Sequence, residues 1–103
     1  MNKIFCFDLD GTLCTLTDGN YLLAEPINDR IEKVNLLFEE GNKIIINTAR
    51  GFVTGIDWEK TTKSQLEKWG VKYNELYIGK PAADYYIDDK SLEIKKWLKG
   101  DFD

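Results

Sequence analysis

Four short, mostly apolar runs, each followed at once by polar or charged residues, constrain what this chain can fold into more than any other feature. The runs cover residues 4–7, 44–46, 76–78 and 83–87. Each has the length of a buried strand. Between and after them, apolar residues recur with helical spacing over 27–40, 57–70 and from 91 onward. Strand and helix patterns that alternate in this way predict a mostly parallel sheet with helices on its faces.

The rest of the chain fits one domain. The sequence has 103 residues, with no long linker, internal repeat or low-complexity segment. We therefore predict a single α/β domain over residues 1–103, a Rossmann-like three-layer sandwich with a mostly parallel central sheet. Between residues 11 and 26, the turn signal Asp18-Gly19-Asn20 lies between short runs, which predicts a short β-hairpin flap.

Composition excludes several classes of function. With 43% hydrophobic and 31% charged residues, the chain is typical of a globular protein. A net charge of −4 and no basic run argue against nucleic acid and anionic membranes as partners. The chain has no histidine, which excludes Ser-His-Asp and Cys-His catalysis and most zinc sites within it. Acid and base chemistry then falls to carboxylates, lysine, tyrosine or metal-bound water.

The cysteines and the first residues bear on location. Cys6 and Cys14 could form one disulfide, but the pattern does not resemble a secreted disulfide framework. The apolar stretch before Asp8 is shorter than a signal peptide, and no segment approaches the length of a membrane span. We expect a cytoplasmic protein with two reduced thiols.

Polar side chains collect where the predicted strands end. They are Asp8 and Asp10, Thr48, Lys80, and Asp88 with Asp89. The carboxyl ends of parallel strands share one edge of the sheet, where ligands bind in α/β folds. Four carboxylates at one place repel one another unless a cation separates them, and Mg²⁺ prefers oxygen ligands and often shares its site with a phosphate. A carboxylate beside such a site can serve as nucleophile by forming an aspartyl phosphate.

The same residues resemble the motifs of a known family. Residues 8–13, Asp-Leu-Asp-Gly-Thr-Leu, resemble the first motif of the haloacid dehalogenase superfamily of phosphatases. Thr48 resembles the second motif, Lys80 in Gly-Lys-Pro the third, and residues 86–89 the fourth. The four motifs occur in the family's order and cover nearly the whole chain.

The resemblance implies a role for each catalytic residue. Asp8 would attack phosphorus and carry the phosphoryl group. Asp10 would protonate the leaving group and later activate water. Thr48 and Lys80 would hold the phosphate oxygens.

The resemblance also implies the metal ligands. Mg²⁺ would be bound by Asp8, the backbone carbonyl of Asp10 and Asp88, with Asp89 in support. An aspartate at position 10 favours a phosphatase, because dehalogenases of the superfamily lack that second acid.

The short spacers resemble those of family members without a cap domain. Such members gain pocket walls by forming homo-oligomers, or they act on large substrates through an open site. Residues 79–90 together with 48–51 are also similar to small bacterial phosphatases linked to capsule polysaccharide synthesis.

Several residues allow a plainer interpretation. Thr48 could cap a helix, Lys80 could be an ordinary surface lysine, and Asp89 could cap the last helix. Arg50 could bind a substrate anion or pair with an acid. Trp58, in a glycine-containing loop near the expected rim, could pack in the core or contact substrate.

The sequence thus predicts a Mg²⁺-dependent phosphatase that hydrolyses a phosphomonoester, a sugar phosphate or similar small metabolite, through an aspartyl phosphate. Two alternatives stay open at this point. One is a phosphatase of proteins or other macromolecules, and the other is a catalytically idle binding module that keeps the metal site.

Overall fold

The protein is described by a computed structural model that covers residues 2–50, 57–78, 85–87 and 92–99. The strands are β1 (Ile4–Asp8), β2 (Lys43–Thr48), β3 (Glu75–Ile78) and β4 (Tyr85–Ile87). The helices are α1 (Asn28–Glu39), α2 (Glu59–Lys68) and α3 (Leu92–Lys99), and a 3-10 turn covers Tyr21–Leu23. The alternating strands and helices predicted from the sequence are confirmed.

The four described strands form one parallel sheet in the order β3-β2-β1-β4. In its register, Asp8 at the end of β1 lies opposite Asn47 in β2, and Thr48 lies opposite Ile78 in β3. The chain adds β2 and β3 on one side of β1 and then returns to place β4 on the other side. The order of the strands therefore reverses beside β1, the position where ligands bind in open α/β sheets.

The core surrounds the two central strands. Phe5, Cys6 and Phe7 are consecutive and all buried, as is the run Ile44–Ile46. Because neighbouring side chains in a strand point to opposite faces, both faces of β1 and β2 are covered. On one face, the ring of Phe7 packs 4.9 Å from that of Trp97 in α3. Burying one such large apolar side chain contributes about 1.5–3 kcal/mol.

Glycines end the first two helices, as the sequence predicted. Gly41 and Gly70 have φ angles of 93° and 71°, the left-handed conformation that only glycine adopts at little cost. After α1, the N–H groups of Gly41 and Asn42 return to carbonyls of the last turn, and Gly70 and Val71 do the same after α2. These bonds satisfy carbonyls that a helix end leaves unpaired and direct the chain into the next strand.

The segment from residue 11 to 26 differs from the predicted hairpin. Thr15 donates its N–H to the Glu25 carbonyl at 2.9 Å, and Cys14 pairs with Pro26 in a single antiparallel bridge. This segment, described throughout, contains no regular strand and instead holds the 3-10 turn. Pro26 has no N–H with which to extend a ladder, and the exposed Leu22 and Leu23 in the turn bury no apolar surface that would hold a second strand in place.

Cys6 and Cys14 are both free and buried, in agreement with the expectation of unpaired thiols. Within the described part of the chain, the helices are too short or too polar to cross a lipid bilayer.

Candidate functional site

Two of the predicted acids lie at the end of β1 and in the tight turn that follows it. Beyond Asp8, the carbonyl of Leu9 accepts the N–H groups of Leu13 at 2.9 Å and Cys14 at 3.2 Å. Gly11 has a φ of 87°, which lets the chain reverse within so few residues. Asp8 and Asp10 therefore lie in and just beyond the carboxyl end of β1, and both are partly exposed.

Thr48 is the last residue of β2, the strand next to β1. Its side-chain oxygen accepts the backbone N–H of Arg50 at 3.1 Å, and the residue is 5% exposed. The hydroxyl therefore supports a turn after a strand, so the plainer interpretation as a helix cap does not describe this contact. Its own hydrogen can donate to a ligand at the sheet edge.

The remaining predicted residues lie outside the described parts of the chain. Lys80 follows the end of β3 by two positions, and Asp88 and Asp89 come directly after β4. The strands that precede them in the sequence are confirmed, and the roles of these three residues stay predictions.

Arg50 makes the main ion pair of the site. Its Nε donates to Asp10 Oδ2 at 3.0 Å, and Nη2 donates to Asp10 Oδ1 at 2.8 Å. The Arg50 side chain is 0% exposed and that of Asp10 is 19% exposed. Two parallel N–H···O bonds of this kind fix both the position and the plane of a carboxylate. Of the two interpretations that the sequence left open for Arg50, the geometry matches pairing with an acid.

Further contacts hold the other side of the Arg50 guanidinium. Nη1 donates to Thr62 Oγ1 at 3.1 Å and to Gln65 Oε1 at 2.5 Å, and Nη2 lies 3.8 Å from Cys14 Sγ. The Tyr21 ring covers one face of the guanidinium, with its centroid 4.6 Å from Cζ. Gln65 in turn donates to the Tyr21 carbonyl at 2.7 Å. We call Arg50, its four partners here and Asp10 the Arg50 network.

Cys14 is the thiol member of this network. Its Sγ lies 3.4 Å from Asp10 Oδ1 and 3.6 Å from the Leu9 carbonyl oxygen, two acceptors within reach of its single S–H hydrogen. Burial and the adjacent Asp10 carboxylate raise the pKa of Cys14 to about 12, against a smaller opposite effect of Arg50. Because the thiolate is the nucleophilic form, Cys14 is inert at neutral pH and serves as a hydrogen-bond donor.

A cleft of about 280 Å³ opens beside Thr48. Its wall includes Trp58, Leu76 and Tyr77. Trp58 is half-buried, and its ring meets that of Tyr21 edge-on at 5.1 Å. Trp58 thus packs against Tyr21 and also lines the cleft, where a ligand could contact it.

Sequence reasoning missed four members of the Arg50 network: Cys14, Tyr21, Thr62 and Gln65. For two of them a signal existed. Thr62 and Gln65 share a helix face with Leu66, and polar residues on an apolar helix face indicate a buried polar partner. The Cys14 and Tyr21 contacts follow from the path of an irregular segment, for which the sequence carries no periodicity.

The described residues fit a magnesium ion in part. Asp8 offers a carboxylate, and the Asp10 side chain is occupied by Arg50, which leaves its backbone carbonyl for a metal. Among the described residues no group of three or more potential ligand side chains lies together, and two of the four predicted ligands, Asp88 and Asp89, lie outside them. An all-oxygen donor set of this kind suits Mg²⁺.

Comparison with known proteins supports the fold. Neither a protein-family model nor a curated protein sequence matches the chain. A structural-genomics target from Vibrio cholerae is 28% identical with a TM-score of 0.70, and the match covers 97% of this chain and 99% of that one. Two chains from structures of the Pnkp1/Rnl/Hen1 complex, one described as an RNA repair complex, are 21% identical with TM-scores of 0.62 and 0.61. This chain spans 36% and 31% of their lengths.

Proposed function

We propose that the chain is a Mg²⁺-dependent phosphatase of the haloacid dehalogenase superfamily that hydrolyses a phosphomonoester through an aspartyl phosphate. One observation carries the proposal. Asp8 and Thr48 end two adjacent parallel strands at one edge of the sheet, and the strand order reverses on the other side of the Asp8 strand. A carboxylate and a hydroxyl at that edge, in the order of the family's motifs, fit a nucleophile beside a phosphate-binding group.

The proposed reaction has two steps at the same residues. Asp8 attacks phosphorus, the bond to the leaving oxygen breaks, and Asp10 delivers a proton to that oxygen. Asp10 then takes a proton from water, which attacks the phosphoryl group and releases Asp8. The Thr48 hydroxyl and the Lys80 ammonium bind the phosphate oxygens in both steps.

Bound Mg²⁺ would neutralise charge on the phosphate and on the acids around it. Asp8, the Asp10 carbonyl and Asp88 would hold it, with Asp89 in support. This assignment agrees with the use of the Asp10 side chain in the Arg50 pair, since only the main-chain oxygen of that residue is required.

The finer architecture belongs to the same proposal. Helices on both faces would make a three-layer sandwich, which the burial of consecutive residues in β1 and β2 supports. Residues 11–26 would act as a short flap over the site in a domain without a cap. A capless site would draw further walls from a homo-oligomer, or stay open. A cytoplasmic setting is part of this proposal.

The size of the cleft favours a small leaving group. A volume of about 280 Å³ beside Thr48 is near the lower end for small-molecule pockets, and a sugar phosphate fits it better than a protein segment does. A role in capsule polysaccharide synthesis is one setting for such a substrate. The fold likeness to chains of an RNA repair complex points instead to a macromolecular phosphate, but the net charge of −4 disfavours an RNA partner.

Phosphate release from p-nitrophenyl phosphate with and without Mg²⁺ tests the proposal. We expect metal-dependent turnover that Asp8→Asn abolishes, because an amide cannot form the acyl phosphate. Asp29→Asn, an exposed acid in the first turn of α1, is the matched control and should keep full turnover.

A wider panel decides among the alternatives. Faster turnover of sugar phosphates than of phosphopeptides or phosphorylated RNA ends supports the small-molecule assignment. No turnover on any phosphorylated compound would refute the proposed activity, and Mg²⁺ binding without turnover would identify an idle module.

A further inference from the structure

We infer that Arg50 is a positioning residue that fixes the Asp10 carboxyl for proton transfer and does not bind the substrate phosphate. The inference rests on the proposed function, because it assigns a role within that reaction. Of the two interpretations that the sequence left open for Arg50, it favours pairing with an acid over binding a substrate anion. Three features of the Arg50 network carry it: the use of every guanidinium donor, the cover over the group, and its anchor in α2.

The first feature is the donor count. A guanidinium has five N–H groups: one on Nε and two on each terminal nitrogen. Nε and one Nη2 hydrogen go to Asp10, and both Nη1 hydrogens go to Thr62 and Gln65. The second Nη2 hydrogen faces Cys14 Sγ at 3.8 Å, a weak contact but a directed one. Each strong donor has an acceptor, so a phosphate could bind Arg50 only by displacing one of them.

The second feature is the cover over the group. The Arg50 side chain is 0% exposed, and the Tyr21 ring lies 4.6 Å from Cζ. Trp58 packs edge-on against that ring at 5.1 Å. Arg50 and Thr62 also line the cleft beside Thr48, but the 0% exposure of the Arg50 side chain means that a phosphate oxygen in the cleft meets no accessible part of the guanidinium.

The third feature is the anchor behind the guanidinium. Thr62 and Gln65 lie on the same side of α2, and Thr62 is 1% exposed. Gln65 also donates to the Tyr21 carbonyl, which ties α2 to the segment after the first motif. Arg50 therefore links the Asp10 carboxylate to α2 through hydrogen bonds on both sides of the guanidinium. Oδ1 of Asp10 accepts bonds from both Arg50 and Cys14, whereas Oδ2 accepts only the Arg50 Nε bond. The transferred proton would therefore be carried on the second lone pair of Oδ2, and the Arg50 pair gives that oxygen the single orientation that proton transfer to a leaving oxygen requires.

The leaving group reveals which step Arg50 serves. The phenolate of phenyl phosphate needs a proton on its departing oxygen, whereas dinitrophenolate leaves readily as an anion, and the two substrates carry the same phosphate on an aromatic ring. The constant kcat/KM covers the chemistry up to departure of the leaving group, so it excludes the later hydrolysis of the aspartyl phosphate. The ratio of kcat/KM on phenyl phosphate to kcat/KM on dinitrophenyl phosphate therefore reports proton donation by Asp10, and it falls when that donation is impaired.

We expect Arg50→Lys to lower kcat/KM on phenyl phosphate about 100-fold and on dinitrophenyl phosphate less than about tenfold. Lysine keeps the charge but cannot make the two parallel bonds to Asp10. In an Asp10→Asn background, Arg50→Lys should change the ratio no further, because the proton donor is already gone. Equal losses on both substrates would overturn the inference, as would a raised KM with an unchanged kcat, which indicates a phosphate-binding arginine.

Two further variants keep the test decisive if Arg50→Lys folds poorly. Thr62→Val removes one acceptor of Arg50 and keeps the shape of the side chain, so it should shift the ratio in the same direction by less. An unchanged ratio in a folded Thr62→Val protein would overturn the inference. Arg30→Lys is the matched control: Arg30 donates to the Gly11 and Thr12 carbonyls of the same turn but does not contact Asp10, and the ratio should stay at the wild-type value.

The two proposals fail in different ways. If the wild type turns over neither aryl phosphate with Mg²⁺, the proposed function fails. If the wild type is active and the ratio does not fall in the Arg50 and Thr62 variants, only the role of Arg50 is refuted.

Discussion

Two ion pairs at opposite ends of the sheet have nearly equal lengths and very different surroundings. At the carboxyl end, Arg50 Nη2 lies 2.8 Å from Asp10, with the side chains 0% and 19% exposed. At the amino end, Lys43 Nζ lies 2.6 Å from Glu75, with the side chains 47% and 35% exposed. Distance alone would rank the Lys43–Glu75 pair as the stronger. Burial and the number of partners reverse that order.

The difference shows what burial adds to an ion pair. Glu75 raises the pKa of Lys43, and Lys43 lowers the pKa of Glu75, in each case mainly through their hydrogen bond. Both side chains are partly exposed to water, so either can lose its partner and be solvated instead. Arg50 and Asp10 are largely shielded from water, so either group left alone would be charged and poorly solvated. The local conformation around a buried pair of this kind therefore depends on the presence of both residues.

The largest effect should follow removal of the buried cation. Arg50→Met leaves the Asp10 carboxylate, Thr62 and Gln65 without their donor. We expect a loss of about 3 kcal/mol in the free energy of unfolding, the lower end for a broken buried pair because Asp10 is partly exposed. Urea denaturation followed by circular dichroism measures it.

A double variant separates the pair from the packing. Asp10→Asn with Arg50→Met removes both charges and should lose less stability than the two single losses added together. Single losses that simply add, or a loss below about 1 kcal/mol for Arg50→Met, would show that the Arg50 network does not stabilise the fold.

A smaller effect should appear in alkali, at the thiol beside the same pair. The pKa of Cys14 rises from 9.0 in the ordinary thiol to about 12 in the folded protein. Between these values the unfolded chain loses a proton that the folded chain keeps, so stability should fall as pH rises through this window and be unaffected below it. Cys14→Ala should reduce that fall. Urea midpoints at several pH values, in a chelating buffer, measure it, and identical slopes in both proteins would contradict the assignment.

The smallest effect on stability should follow from breaking the Lys43–Glu75 pair at the amino end of the sheet. Lys43→Gln removes the cation from Glu75, yet Lys43 is exposed and Glu75 partly exposed, so water can replace the contact. We expect no measurable change in Tm at moderate salt. A drop as large as that of Arg50→Met would contradict the comparison between the two ends of the sheet.

Most of the fold could be read from periodicity. Apolar runs gave the strands within one or two residues, and the glycines at 41 and 70 marked the ends of two helices correctly. The hairpin predicted for residues 11–26 is the part of the fold that differs, because this segment forms a 3-10 turn and no regular strand. A turn signal at residues 18–20 shows where a chain reverses but does not show whether the flanking residues have an apolar face to bury.

The candidate site also has a part that the sequence predicted and a part that it left open. Strand ends alone placed Asp8, Asp10 and Thr48 at one edge, because parallel strands share a direction. The partner of Arg50 was left open, since two different acceptors suited it equally. The choice depends on how α2 and the segment after the first motif pack around the guanidinium, over separations of 12 to 40 residues.

The sequence by itself determined the order of strands and helices, the edge at which the polar residues gather and the chemical types available there. These follow from local rules: periodicity, chain direction and the acid, hydroxyl and amine groups of the residues. Only the tertiary structure decided that Arg50 faces Asp10, that Cys14 is a buried donor and that Thr62 and Gln65 complete the Arg50 network. Those outcomes depend on which side chains lose contact with water together, and burial is a property of the packed molecule rather than of any segment.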